Sequence, residues 1–244
     1  VTSRSYLVLD IETVPDRSLP WDAAKEGFPP PTHHEIVTLG VLWLDPELTT
    51  KRLGVFGGGE EPARGKQREA RLLADFVRFV GRERCHLVTY NGRSFDLPVL
   101  INRCLKHGVS FPAYFSDRDY RYRYSDLGHL DLADALTEHG ATRRPSLSAA
   151  ARLMGLPGKL LVDGSMIASL YDTGELETIE AHCLADVVQT AFLLLRYELL
   201  RGRLDRKGYR ERARALWDAV REDERVAEVL GAADAHQVLL GEDV

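Results

Sequence analysis

Apolar residues along this chain fall into two patterns: short dense runs bounded by turn residues, and longer stretches in which they recur every three or four positions. The dense runs predict strands. They are YLVLDIETV (6–14), ended by Pro15, EIVTLGVLWLD (35–45), KRLGVFGGG (51–59), and HLVTYNG (86–92). The short ELTT connection predicts a hairpin of the second and third. Helical spacing marks 61–82, where Leu72, Leu73, Phe76, Val77 and Val80 share a face, and 94–108, closed by Gly108. It also marks 144–158, 165–174 and the long run ETIEAHCLADVVQTAFLLLRYELL. HLDLADAL (129–136) fits either a fifth strand or the start of a helix. Between Pro15 and His34, PDRSLP and FPPP predict a long loop.

A three-strand meander followed by alternating strands and helices predicts a mixed α/β sheet with helices on its faces. After Leu200 the chain becomes strongly charged, with Tyr209, Ala213, Leu216, Trp217 and Val220 as one apolar stripe. That pattern predicts a helical extension packed on the domain, with a mobile tail after about Gly231. The basic stretch from Arg201 to Arg214 reads as a solvated face.

The length of 244 residues suits one large domain with an appendage, and 44% hydrophobic residues suffice for a sizeable core. No run approaches the ~20 apolar residues of a membrane span, so no membrane partner is expected. VTSRSYLVLDIETV lacks the pattern of a signal peptide. Three cysteines without CxxC spacing suggest reduced thiols and a cytoplasmic protein. The net charge of −5 argues mildly against tight phosphate binding. Carboxylates that hold cations, however, count as negative only on paper.

Asp10 and Glu12 stand at i and i+2 on a strand and therefore share a face. Two like charges in an apolar strand are costly unless a cation lies between them, and hard oxygen ligands favour Mg²⁺ or Mn²⁺. A solvent-side strand edge is the plainer reading. Asp96 opens the helix after the Asn91-Gly92 turn; it is a helix-dipole partner or a site residue at a strand's C-terminal end. His182 and Asp186, four apart, share one helical face. Four carboxylates with this distribution can converge on two metal ions, the arrangement that activates a water and stabilises a leaving oxygen in phosphodiester cleavage.

DIETVPD, YNGRSFDLPVL, and a histidine ahead of a helical aspartate in HCLAD resemble the DEDD superfamily of 3′–5′ exonucleases. HLDLADAL, SLSAAARLMGLPGK, the DG after Val162, and CLADVVQTAFLLLRYELLRGRLD are similar to one group within it, the predicted bacterial exonucleases related to the proofreading domain of family-B DNA polymerases. The resemblance covers roughly residues 5 to 210. It implies an RNase H-like mixed five-stranded sheet with helices on both faces, divided into an exonuclease domain (1–204) and a C-terminal helical extension and tail (205–244). It also implies two Mg²⁺ or Mn²⁺ ions held by Asp10, Glu12, Asp96 and Asp186, with Asp10 bridging. The implied activity is removal of nucleoside monophosphates from the 3′ end of single-stranded DNA or RNA. One departure matters. His182 stands at the spacing of the superfamily's tyrosine branch but has the side chain of its histidine branch, and an imidazole can take a proton from water near neutral pH.

Candidate substrate contacts are Thr13, Asn91, Phe95, Asp131, Lys159, Arg121 and Tyr122. DRDYRYRYSD (117–126) interleaves arginine and tyrosine, which suits either base stacking and phosphate contact or an amphipathic edge strand. Turn chemistry and core packing also explain Asn91 and Phe95, and a helix cap explains Asp131. A catalytically weak or inactive nucleic-acid-binding module of the same fold is the alternative to an exonuclease. An incidental acidic cluster in an adaptor protein would leave Asp10 and Glu12 without compensation. A phosphatase would want DxD where this chain has DxE.

Overall fold

A computed structural model describes residues 4–57, 66–125, 127–158 and 166–241. Five strands form one sheet in the order β3-β2-β1-β4-β5. They are β1 (Tyr6–Pro15), β2 (His34–Leu44), β3 (Thr50–Phe56), β4 (His86–Thr89) and β5 (His129–Asp131). The first three form an antiparallel meander, and β4 and β5 join parallel to β1. This is the RNase H-like arrangement. Short helix α1 (Ala23–Glu26) lies in the loop before β2, and α2 (Lys66–Glu83) precedes β4. Helices α3 (Asp96–His107), α4 (Pro112–Ser116) and α5 (Arg118–Arg121) follow β4, and α6 (Leu132–Ala135) follows β5. HLDLADAL is therefore both a strand and a helix start, with Asp131 as the N-cap between them. Then come α7 (Leu147–Arg152), α8 (Ile167–Thr173) and α9 (Leu176–Leu200), and beyond them α10 (Arg206–Val220), α11 (Glu224–Gly231) and α12 (Ala235–Leu239).

Strand alternation divides the core into two layers. Leu7, Leu9 and Ile11 pack with Leu87 against α2 and α3, through Leu72, Leu73, Phe76, Leu97 and Leu100. Val8 packs with Leu42, Val88 and Leu130 against α9 and α10. Asp10 and Glu12 share Val8's face, so β1 turns both carboxylates toward α9. Helix α9 has the length and hydropathy of a membrane span, contrary to the expectation that no run comes near one, but most of that window is buried inside the protein. A helix apolar all round belongs in a core.

Three expectations change near the C-terminus and in the Arg–Tyr segment. The stretch after Gly231 is a packed helix rather than a mobile tail. Asp234 N–H donates to Gly155 O at 2.7 Å, Val238 is fully buried, and the Tyr209 hydroxyl donates to Val238 O at 2.5 Å. The basic face of α10 is partly structural: Arg210 donates to Leu240 O at 2.7 Å and Arg212 to Glu47 O at 2.6 Å. DRDYRYRYSD forms a short helix and turns, not an edge strand, and its Tyr120 is wholly buried with its hydroxyl on Cys85 O at 2.7 Å.

Candidate active site

The site is built where β1, the end of β4 and α9 meet. Gly40 is paired with Asp10 across β1 and β2. A Cβ at position 40 would stand 2.9 Å from Cys183 Sγ and 3.3 Å from Val187 Cγ2. The absent side chain lets α9 lie directly against the strand that carries Asp10. In consequence the Cys183 thiol donates to Asp10, 3.3 Å from its carbonyl and 3.6 Å from Oδ2. On the same helix, Nε2 of the preceding residue, His182, lies 3.4 Å from Glu12 Oε1, and Asp186, about one turn on, acts on the charge of Asp10. The β1–β2 register shifts between Glu12 and Thr13, a bulge beside the site of the kind that re-aims side chains.

The second motif is held by a turn that only these residues allow. Asn91 has φ of 70°, and a Cβ on Gly92 would collide with the Thr89 side chain at 2.5 Å. Asp131 caps α6 and also accepts the backbone N–H groups of Asn91, at 2.8 Å, and Arg93, at 2.9 Å. Its oxygens are thus occupied by backbone donors. It positions the turn and acts on Asp96 through its charge. Arg144, not singled out from the sequence, donates to the Asn91 side-chain oxygen and to Ser94 Oγ at 3.2 Å.

The acids act on one another through their charges. Burial pushes the Asp10 carboxyl well above the usual range, and the charges of Asp96, Asp186 and Glu12 push it further. Burial raises Asp96 to about 7, with Asp131 and Asp186 adding to it, while the N–H groups of Asp96 and Ile11 oppose. The hydrogen bond from the Cys183 thiol opposes the rise at Asp10. Burial, then Asp10 and Glu12, raise Cys183 itself well above the ordinary thiol range, so it remains a neutral donor and not a thiolate ligand. The donors that remain are hard carboxylate oxygens with an excess of negative charge, which fit Mg²⁺ or Mn²⁺ rather than a soft metal. Among the described residues no group of three or more His, Cys, Asp or Glu is already arranged to hold a metal ion. Like charges brought to one place without a cation keep apart.

The other predicted contacts divide. Thr13 and Phe95 adjoin Glu12 and Asp96 in the chain, and both meet His34: Thr13 Oγ1 is 3.0 Å from His34 Nδ1, and the Phe95 ring meets the His34 ring edge-on at 4.9 Å. Arg121 and Tyr122 find their partners in their own stretch of chain, Arg121 over the Phe115 ring at 5.5 Å and Tyr122 under Arg118 at 4.8 Å. The structure does not bring them to the acidic cluster. Lys159 lies outside the described residues.

A sheet of this topology, with carboxylates from its central strand, a neighbouring strand end and the covering helix gathered at one place, defines an RNase H-like nuclease framework. The family described as predicted 3′–5′ exonucleases related to the exonuclease domain of PolB matches residues 26–233, and the chain belongs to that family. The match includes Asp96, His182 and Asp186 but begins beyond Asp10 and Glu12, whose place rests on the geometry above. Among solved structures, the chain is similar to Exonuclease I (apo), at 15% identity and a TM-score of 0.45, over 85% of this chain and 44% of that one. It is similar to E. coli Exonuclease I in complex with a 5cy-dT13 oligonucleotide at 16% identity and a TM-score of 0.42, over 85% and 42%. For E. coli Exonuclease I in complex with a dA16 oligonucleotide the values are 16% and 0.42, over 92% and 45%. The chain spans less than half the length of these structures. A comparison with curated proteins found no match.

Proposed function

We propose that this chain is a divalent-metal-dependent 3′–5′ exonuclease acting on single-stranded DNA or RNA ends, with Asp10, Glu12, Asp96 and Asp186 as metal ligands. The observation that carries the proposal is the action of Glu12, Asp96 and Asp186 on the buried Asp10 carboxyl, the four acids coming from three separate elements. Two bound Mg²⁺ or Mn²⁺ ions would supply water activation and stabilisation of the leaving oxygen. The chain's own residues do the rest. Gly40 and Cys183 hold α9 against β1, so that Asp186 and His182 reach the carboxylates of the strand. His182, beside Glu12, is placed to orient a water or accept its proton. The Asn91–Asp96 turn, locked by Asp131 and Arg144, fixes the fourth carboxylate. An inactive binding module of the same fold would have no need to keep all four acids facing one another.

The test is incubation of the purified protein with Mn²⁺ and 5′-labelled single-stranded DNA or RNA. A ladder of shortening products that Asp10→Ala and EDTA both abolish is expected. A parent that leaves both strands intact, or an Asp10→Ala variant that cleaves at the parental rate, overturns the proposal.

A further inference from the structure

The loop between β1 and β2 presents an exposed aromatic ring against residues that adjoin the segments of Glu12 and Asp96. Its base is closed by Asp16 N–H donating to His33 O at 2.8 Å. From within, Trp21 Nε1 donates to Gly27 O at 3.0 Å, and the Trp21 ring lies 4.9 Å from that of His33. His34 ties the end of the loop in two directions. Its Nε2 is 3.1 Å from Pro29 O, and because a carbonyl only accepts, Nε2 bears the proton and Nδ1 accepts from the Thr13 hydroxyl. On this frame Phe28 is 76% exposed. Its ring stands 5.3 Å from His34 and 6.0 Å from Phe95. Thr13 directly follows Glu12 and Phe95 directly precedes Asp96. The rings of Phe95, His34 and Phe28 therefore form one cluster that adjoins both carboxylate-bearing segments along the chain, with Phe28 as its solvent-facing member.

We infer that Phe28, the exposed member of this cluster, stacks on a base of the single strand that enters the site; the inference rests on the nuclease reading above. An isolated exposed phenylalanine needs no explanation. This one is held by a hydrogen-bonded loop against His34, whose hydrogen-bond partner Thr13 adjoins Glu12, and against Phe95, which adjoins Asp96. Every base has a π-face, so the contact is tolerant of sequence. A neutral ring also holds a strand beside an acidic centre without adding charge that salt would screen.

The experiment compares the full-length parent with Phe28→Ala and Phe28→Trp, using a labelled single-stranded oligonucleotide and a strand of the same length built from abasic units. Phe28→Ala should raise KM and Kd for the base-bearing strand by about 5–150-fold, the usual loss when a base-stacking side chain is truncated. Phe28→Trp should restore binding to within a few-fold. The salt dependence of binding should keep its slope, since no phosphate contact is removed. On the abasic strand, parent and Phe28→Ala should bind alike. Because the ring is exposed, thermal stability should not change, and circular dichroism checks that it has not. Parental KM and Kd in Phe28→Ala overturn the inference and leave the nuclease reading standing. Equal losses on base-bearing and abasic strands overturn it too, since they mean that the loop has moved. A parent that neither binds nor degrades any strand overturns the nuclease reading and this inference together.

Discussion

Replacing Asp96 by Asn should make the metal-free protein more stable while destroying its response to metal. The carboxyl is almost fully buried and titrates at about 7 instead of its ordinary 3.8. The folded chain therefore holds a proton between those values that the unfolded chain has released. Stability falls as pH rises through that window and is lowest above it. At 1.36 kcal/mol per pKa unit, the ionised group costs the metal-free fold about 4 kcal/mol at pH 8. The Asn amide removes the charge and still accepts from the N–H groups of Asp96's own position and Ile11, but it buries new donors worth about 1–3 kcal/mol if unpartnered. The net gain is about 1–3 kcal/mol, or about 2–12 °C in Tm for a chain of this size. For the parent, Mn²⁺ at a hundred times its Kd should add about 2.7 kcal/mol, whereas Asp96→Asn should gain little and should not cleave. Thermal melts at pH 8 in EDTA and in Mn²⁺ measure both effects. An Asn variant that melts below the parent in EDTA, yet still gains stability from Mn²⁺, would refute the reasoning.

Other substitutions probe the parts around this centre. His182→Ala should lose about 10²–10⁴-fold in kcat, the usual worth of a positioned acid–base group, while His182→Tyr retains measurable activity by orienting water through its hydroxyl; parental rates in both would make His182 a bystander. Gly40→Ala should cost about 1–3 kcal/mol by overpacking against Cys183, and Cys183→Ala in the same chain should recover part of that in urea denaturation; strict additivity would show that the two positions do not meet. Asp16 is opposed by burial, but hydrogen bonds from Lys106, Ser18 and Arg103 hold its carboxyl well below the usual range. Its contribution should be complete above about pH 4 and disappear as the pH falls further, so Asp16→Asn should flatten the acid limb of the stability profile; an unchanged limb would dismiss the pairing. Arg103→Met strands Asp16 and Glu69, which Arg103 joins in a buried network, and should cost about 3–5 kcal/mol; a loss under 1 kcal/mol in the same denaturation would count against that network.

Much of this molecule could be read from local pattern alone. Dense apolar runs and helical spacing located four of the five strands and the larger helices, leaving HLDLADAL open, and the pleat alone put Asp10 and Glu12 on one face. The i, i+4 relation likewise put His182 and Asp186 on one face of α9. Local pattern does not report which face meets which partner, and that is where the fold added information. Gly40 looks like any strand glycine until α9 is laid across it and its missing Cβ proves to be the space occupied by Cys183. Asp131 reads as a helix cap, and it is one, but only the parallel pairing of β4 and β5 lets the same carboxylate lock the turn before Asp96. Tyr120, Tyr122 and Tyr124 are equivalent as letters, yet Tyr120 is buried under Cys85 while the other two are exposed, because the segment turns as a helix instead of alternating as a strand. The stretch after Gly231 is too short to signal order by itself, and it acquires order from Tyr209 and Gly155, far away in sequence. Side-chain periodicity is a property of one element and is written in the chain. Contacts between elements depend on how two surfaces approach, and they exist only once the sheet and its helices have closed around them.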